Sequence, residues 1–378
     1  MSSSRPPFLI WMKHKVASLA SRDVVNLASS GVQTECADRW LSNVLADHTA
    51  EIMRRGAESN QFGLTSLKQA VRSAFGVREQ REIVVTPGAS GGMRLVFEVL
   101  LAGGTDADVL VETPVYEPLR AIPARLGANV VPIKRECDGQ LDVESLARRA
   151  SSRTAAIVVT NLHNPTGQFL TDDSHRDICR ALDAAGSRAA IVVDETFLDL
   201  GPRPGTTAAT LDPRIITISS LSKSHGLPAL RCGWVTIDPA AFPRFVEDAV
   251  LFQNVGFQLA EILGAMAIER IDVFRDAARC HVARSQAVVS QWLNEMAAAG
   301  AIAPLAAPPS CIAFPRTRSG RSTMAVCEEL ETRFRVLVAP GQFFGDAFDQ
   351  HIRIGFGGDH ESLDRGLARL AEGLFTLR

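Results

Sequence analysis

From residue 82 to residue 223 the chain alternates short apolar runs with helical patterns. EIVVT (82–86), ADVLVE (107–112), ANVVPIK (128–134), TAAIVVTN (154–161), AAIVVDE (189–195) and IITISSLSK (215–223) are dominated by Val and Ile without apolar–polar alternation. That pattern predicts strands buried on both faces. Between them, MRLVFEVLLAGG, TPVYEPLRAIPARLG and HRDICRALDAAG predict helices, the first and last closed by glycine. Strand–helix–strand order at this spacing predicts a parallel sheet with helices on both sides. After about residue 240 the pattern changes: a long helical stretch covers 241–297, and APPSCIAFPR (307–316), FRVLVAPG (334–341) and HIRIGFG (351–357) read as strands. The expected fold is α/β: a three-layer αβα large domain with a mostly parallel sheet over 41–255, plus a smaller α+β domain over 256–378. The arm 1–40 is expected to join the smaller domain.

Length agrees with this division, since 378 residues exceed one ordinary core and suit two domains of uneven size. A net charge of -2 with no polybasic run argues against nucleic acid and against a membrane surface as partner. No apolar run approaches the roughly 20 residues needed to span a bilayer. In MSSSRPPFLIWMKHKV the charges of Lys13 and Lys15 cut the apolar stretch short, so no signal peptide is expected. Seven cysteines are scattered without CxxC or metal spacing, which fits free thiols in a reducing cytoplasm and no metal site. The chain has one tyrosine, Tyr116.

Polar residues collect where the predicted strands end: TPGASGG, TPVY, NLHNPTG, DETF and SLSK. In an open parallel sheet, ligands bind outside the carboxyl ends of the strands. Each segment also has an ordinary reading. PGASGG suits a turn with Ser90 as a helix cap, or an anion site of free backbone N–H groups. NPTG is a turn sequence in its own right. Asp194 closes an apolar strand, so it is either a cap or the partner of a buried cation. In SLSKSHGLPALR, Lys223 is either surface charge or a desolvated amine of depressed pKa, beside an anion held by Ser220, Ser222 and Arg231. One ligand satisfies all five segments together. It carries an aldehyde for Lys223, a phosphate for the serines, Arg231 and the helix start, a basic ring nitrogen for Asp194, and an aromatic face for Tyr116. Pyridoxal 5′-phosphate has these features.

The set NPTG (164–167), Asp194 in VVDETF, and S-x-S-K with arginine eight residues on resembles the class I/II aminotransferases, the fold type I pyridoxal-phosphate enzymes, over nearly the whole chain. The resemblance implies Lys223 as the imine lysine and Asp194 as partner of the ring nitrogen. It implies Asn164 as donor to the cofactor's ring oxygen and a neighbour of the substrate carboxylate, Tyr116 as the stacking aromatic, and Ala89, Ser90, Ser220, Ser222 and Arg231 as the phosphate cup. Arg353, in HIRIGFG, matches the arginine that grips the substrate α-carboxylate, and Gly31, in NLASSG, a glycine beside it. A homodimer is implied too. Two positions depart from the pattern. Phe197 stands where the family has a tyrosine bonded to the ring oxygen, and Glu58 where the partner subunit usually lends a tyrosine to the phosphate.

SSGV, LSKSHGLPALRCGW, IAFPR and VLVAPGQFFG are also similar to capreomycidine synthase-like cyclases, which eliminate a β-substituent from a hydroxylated arginine and close a ring. The first expectation is transamination of an α-amino acid and the alternative is elimination with cyclisation. The alternative needs a group to protonate a leaving hydroxyl, for which Glu35, His163 and His225 are the candidates. A third possibility, a cofactor-binding module without catalysis, fits poorly with the presence of both Lys223 and Arg353. A hydrolase lacks its GxSxG elbow.

Overall fold

The computed structural model describes residues 7–19, 23–58, 63–104, 106–136, 139–252 and 257–377. Strand β1 (Val25–Asn26) belongs to the smaller domain. The large sheet is built from β2 (Glu82–Pro87), β3 (Asp108–Thr113), β4 (Asn129–Lys134), β5 (Thr154–Thr160), β6 (Ala190–Asp194), β7 (Ile215–Ser220) and β8 (Cys232–Ile237), in the order β2-β8-β7-β6-β5-β3-β4. The pairs from β7 through β4 are parallel, and β8 runs antiparallel to both of its neighbours.

The unalternating strands have the physical cause expected of them. Val158, Val192 and Ile218 pack on one face of the sheet, while Ile157, Val159, Ile191 and Val193 pack on the other. Successive side chains point to opposite faces, so a strand with an apolar core on each side must be apolar throughout. The expected three-layer fold is found, with one strand more than the sequence reading contained. That strand, β8, begins at Cys232 and contains Gly233. A Cβ on Gly233 would lie 2.5 Å from the carbonyl carbon of Gly88. Glycine there lets β8 pass under the start of the Gly88–Leu100 helix, and the same glycine hides the strand from a pattern search. PGASGG, read as a turn, is largely the first turn of that helix.

The smaller domain has β1 parallel to β10 (Val336–Leu337), and β11 (Ala339–Pro340) and β9 (Ile312–Ala313) on either side of β12 (Ile352–Gly355). The expected strands over 307–316 and 334–341 shrink to these short pieces: prolines at 308, 309 and 315 flank β9, and after β10 the chain changes partner at Val338, from β1 to β12. The helical stretch after 240 is three helices among the described residues, Phe245–Phe252, Gln258–Ile268 and Ile271–Ala298. Gln258–Ile268 packs with the Thr65–Phe75 helix beside β2 and β8. The last and longest begins in that core at Ile271 and Phe274 and continues into the smaller domain's core at Ala278, Val282 and Val289. We therefore propose a domain boundary inside this helix rather than at residue 255. Among the described residues no helix is long and apolar enough to cross a membrane.

Candidate active site

β6 and β7 are neighbours, and their carboxyl ends deliver Asp194 and the loop of Lys223 to one cavity of about 530 Å³. Lys223 is partly buried. Its carbonyl accepts the N–H of Val32 at 3.0 Å, and a Cβ on Gly31 would rest 3.5 Å from its Cδ, so residues 31–32 lie along the lysine stem. Burial first, then the guanidinium of Arg353, brings the ammonium down to about 8. Asp194 is 7% exposed. Its Oδ1 accepts the backbone N–H of Thr196 at 3.0 Å and the Thr196 hydroxyl. Burial still pushes the carboxyl upward, outweighing the Thr196 donors and the Lys223 ammonium that favour its charge.

A second corner of the cavity gathers donors able to hold an anion. Ala89 and Ser90 open the Gly88–Leu100 helix, where backbone N–H groups have no intrahelical partner. Ser220 and Ser222 line the same corner, and the Ser222 hydroxyl is buried with no partner among the described residues. Arg231 stands at φ 50°, a left-handed conformation that costs a non-glycine residue about 1 kcal/mol or more. A Cβ on Gly88 would come 2.6 Å from the Arg231 Nη2, so glycine gives the guanidinium its place beside the helix start.

The third corner holds Arg353, carried by β12 and 2% exposed. Its Nη1 donates to Asn164 Oδ1 at 2.9 Å and its Nη2 to the carbonyl of Ala28 at 2.7 Å, while Nε has no partner among the described residues. Phe8 and Phe344 lie 5.4 and 5.1 Å from the guanidinium carbon. Burial pulls this guanidinium down to about 10. Since Asn164 spends its oxygen on Arg353, its amide N–H groups are the atoms free to donate into the cavity. Tyr116 and the buried Phe197 complete the wall, and burial raises the Tyr116 phenol to about 12.

Of the residues singled out from sequence, Ala89, Ser90, Tyr116, Asn164, Asp194, Phe197, Ser220, Ser222, Lys223, Arg231 and Arg353 line this one cavity, and Gly31 adjoins Lys223. The three candidates for a leaving-group acid do not line it. His163 is fully buried, with Nδ1 2.6 Å from the Thr166 hydroxyl and Nε2 2.9 Å from the carbonyl of Pro114, and burial holds it well below its usual pKa. His225 pairs with Asp199 at 2.8 Å behind the sheet, and Glu35 is exposed in the first turn of the Glu35–Asp47 helix. Glu58 accepts the N–H of Ser66 at 3.3 Å, in the first turn of the Thr65–Phe75 helix.

Ser29, Ser30 and Met93 also line the cavity without having been singled out, and two further contributors were not foreseen. The Phe8–Leu19 helix lies along the cavity and supplies Phe8, Leu9, Met12, Lys13, Val16 and Ala17. It is anchored where the N–H of Phe8 donates to Glu117 at 2.6 Å and the Phe8 ring meets Tyr116 edge-on. The other is Thr196, whose signal was its place two residues after Asp194.

The family model for aminotransferase class I and II matches residues 22–370. The chain is 30% identical over 320 residues to the capreomycidine synthase of Streptomyces vinaceus, covering 83% of this chain and 80% of that one. It is 28% identical over 329 residues to an arginine–pyruvate transaminase of Pseudomonas aeruginosa, covering 80% of each. The crystal structure of a PLP-dependent aminotransferase from Streptococcus suis superposes with a TM-score of 0.84 at 21% identity, over 100% of this chain and 99% of that one.

Proposed function

The chain belongs to the aminotransferase class I and II family, whose members are pyridoxal-phosphate enzymes acting on amino acids, and from that premise we propose that it transfers the amino group of an α-amino acid through Lys223. The cavity residues fit the cofactor. Lys223 is the amine for its aldehyde, and the unpartnered Ser222 hydroxyl, Ser220, Arg231 and the helix start are donors for its phosphate. Asp194 is the buried acid for its ring nitrogen, with Asn164 as donor to its ring oxygen. With Phe197 in place of the usual tyrosine, that oxygen has one donor fewer.

When bound, the cofactor supplies an electron sink for the pair released at the substrate α-carbon. Arg353 and Asn164 hold the substrate α-carboxylate and so fix which bond at the α-carbon faces Lys223. With its ammonium held near 8, the Lys223 amine accepts the α-proton close to neutral pH, as a general base should. The same amine holds that proton and can give it back on the same face, so one side chain covers both halves of a proton shift. The Phe8–Leu19 helix covers the substrate end with apolar side chains.

The observation that favours transfer over elimination is the position of the acids. Lys223 serves both directions of a proton shift, and none of the three candidates for protonating a leaving hydroxyl lies beside it. Glu35, His163 and His225 all lie off the cavity. The test is to mix the cofactor-loaded protein with single amino acids, arginine and hydroxylated arginine included, and assay for keto acid. Stoichiometric keto acid without release of ammonia, from any of them, supports transfer. A cyclised product with no keto acid would replace this reading with the capreomycidine synthase-like one.

We also propose a homodimer working in the cytoplasm, its cysteines reduced. Met53 and Phe257 are each 73% exposed, and Gln258 bonds the carbonyl of Gly56 at 3.1 Å, which brings these two apolar side chains onto one region of the surface. Sedimentation should show twice the 40.8 kDa chain mass. A single chain at micromolar concentration, or export from the cell on fractionation, would count against this.

A further inference from the structure

We infer that Thr196 is the residue that positions the two reacting groups against each other, its side chain holding Asp194 and its carbonyl holding the loop of Lys223. The inference rests on the cofactor reading above. β6 and β7 are in register at Asp194 and Ile218, and the ladder runs one residue further, where Glu195 N–H donates to Ile218 at 2.8 Å. Thr196 is where the chain leaves the sheet. Its backbone N–H and its hydroxyl both donate to Oδ1 of Asp194. Two donors on one oxygen fix the carboxylate plane and leave Oδ2 for a ligand cation. On its other side, the Thr196 carbonyl accepts the hydroxyl of Ser224 at 2.9 Å. Ser224 is 1% exposed and follows Lys223 directly. One threonine thus joins the end of β6 to the loop beyond β7, and it lines the cavity itself.

The alternative is that Thr196 merely fills space. Thr196→Val keeps the shape and the backbone N–H but removes the hydroxyl, and Thr196→Ser restores it. The readout is cofactor affinity of the apoprotein, by absorbance titration across pH. The hydroxyl favours the anionic form of Asp194, so its loss moves the carboxyl further up. Cofactor affinity falls as pH drops through the Asp194 titration, because a neutral acid no longer holds the ring cation. The acid limb should therefore start at higher pH in the valine variant. The titratable groups facing Asp194 are Lys223, Tyr116 and Glu195, and none of them is changed by the substitution.

Thr196→Val should weaken cofactor binding about tenfold, the scale of one lost hydrogen bond to a charged group. Thr196→Ser should bind within about threefold of wild type. Ser224→Ala should slow covalent capture by Lys223 about fivefold, a loosened loop costing the attack geometry, without moving the acid limb. Valine behaving as wild type at every pH would overturn the inference, as would serine failing as badly as valine. If the valine variant does not fold, Thr196→Ser and Ser224→Ala decide alone: a serine variant bound far more weakly than threefold, or unchanged capture in Ser224→Ala, overturns it. Failure of the wild-type control to bind the cofactor would instead sink the cofactor reading.

Discussion

Lys223→Ala should abolish covalent capture of pyridoxal phosphate and lower turnover by about a thousandfold or more. A positioned general base alone is worth roughly 10²–10⁴ in rate, and this lysine is also the nucleophile. The variant should still bind the cofactor without a covalent bond, because Asp194 and the anion corner are untouched. Wild type gives a second, independent signature. Only the neutral amine attacks an aldehyde, and the ammonium titrates near 8 rather than at its usual 10.5. Capture should thus speed up roughly tenfold per pH unit below about 8 and level off above it. A rate still climbing steeply past pH 9 would mean that burial and Arg353 do not depress this lysine. The apoprotein variant should melt no lower than wild type near neutral pH. Lys223 is charged there both folded and unfolded, and the folded environment disfavours that charge. The penalty disappears only as pH rises from about 8 toward the unfolded value.

The reason so much of this site could be read from the chain is topological. A parallel sheet gathers its carboxyl ends on one edge, so residues far apart in sequence become neighbours once the strands are recognised. β5, β6 and β7 were recognisable because both faces are buried, and each ends in the polar residues that line the cavity. β8 escaped because its close approach to the Gly88 backbone demands a glycine inside the strand. The smaller domain was over-read as strands because apolar content runs on past the points where prolines or a change of partner end the pairing. The side-chain candidates for proton transfer show a different limit. His163, His225 and Glu35 look alike as letters. Only three dimensions show that His163 is closed off by Thr166 and Pro114, and His225 by Asp199. The Phe8–Leu19 helix depends on contacts with Glu117, Phe344 and Arg353, which local pattern cannot report.

Arg353→Ala should lower kcat/KM for every α-amino acid by about a hundredfold or more, with cofactor affinity unchanged within about threefold. The guanidinium is desolvated and lies against two aromatic rings, and removing one partner of such a buried charge pair costs 2–5 kcal/mol or more. The split between substrate and cofactor effects follows from the layout: the groups proposed for the cofactor's phosphate and ring nitrogen come from β6, the segment after β7 and the Gly88 helix, whereas Arg353 comes from β12 and bonds only Asn164 among the proposed cofactor residues. Arg353→Lys should recover little of the loss. A single ammonium cannot both bond Asn164 and present a planar fork to a carboxylate. Simple amines without a carboxylate supply the control. They gain nothing from Arg353 in the wild type, so their slow reaction should be nearly the same in both proteins. If amines lose as much as amino acids do, the arginine is holding the domain interface through Asn164 and Ala28, and the substrate carboxylate must be gripped elsewhere.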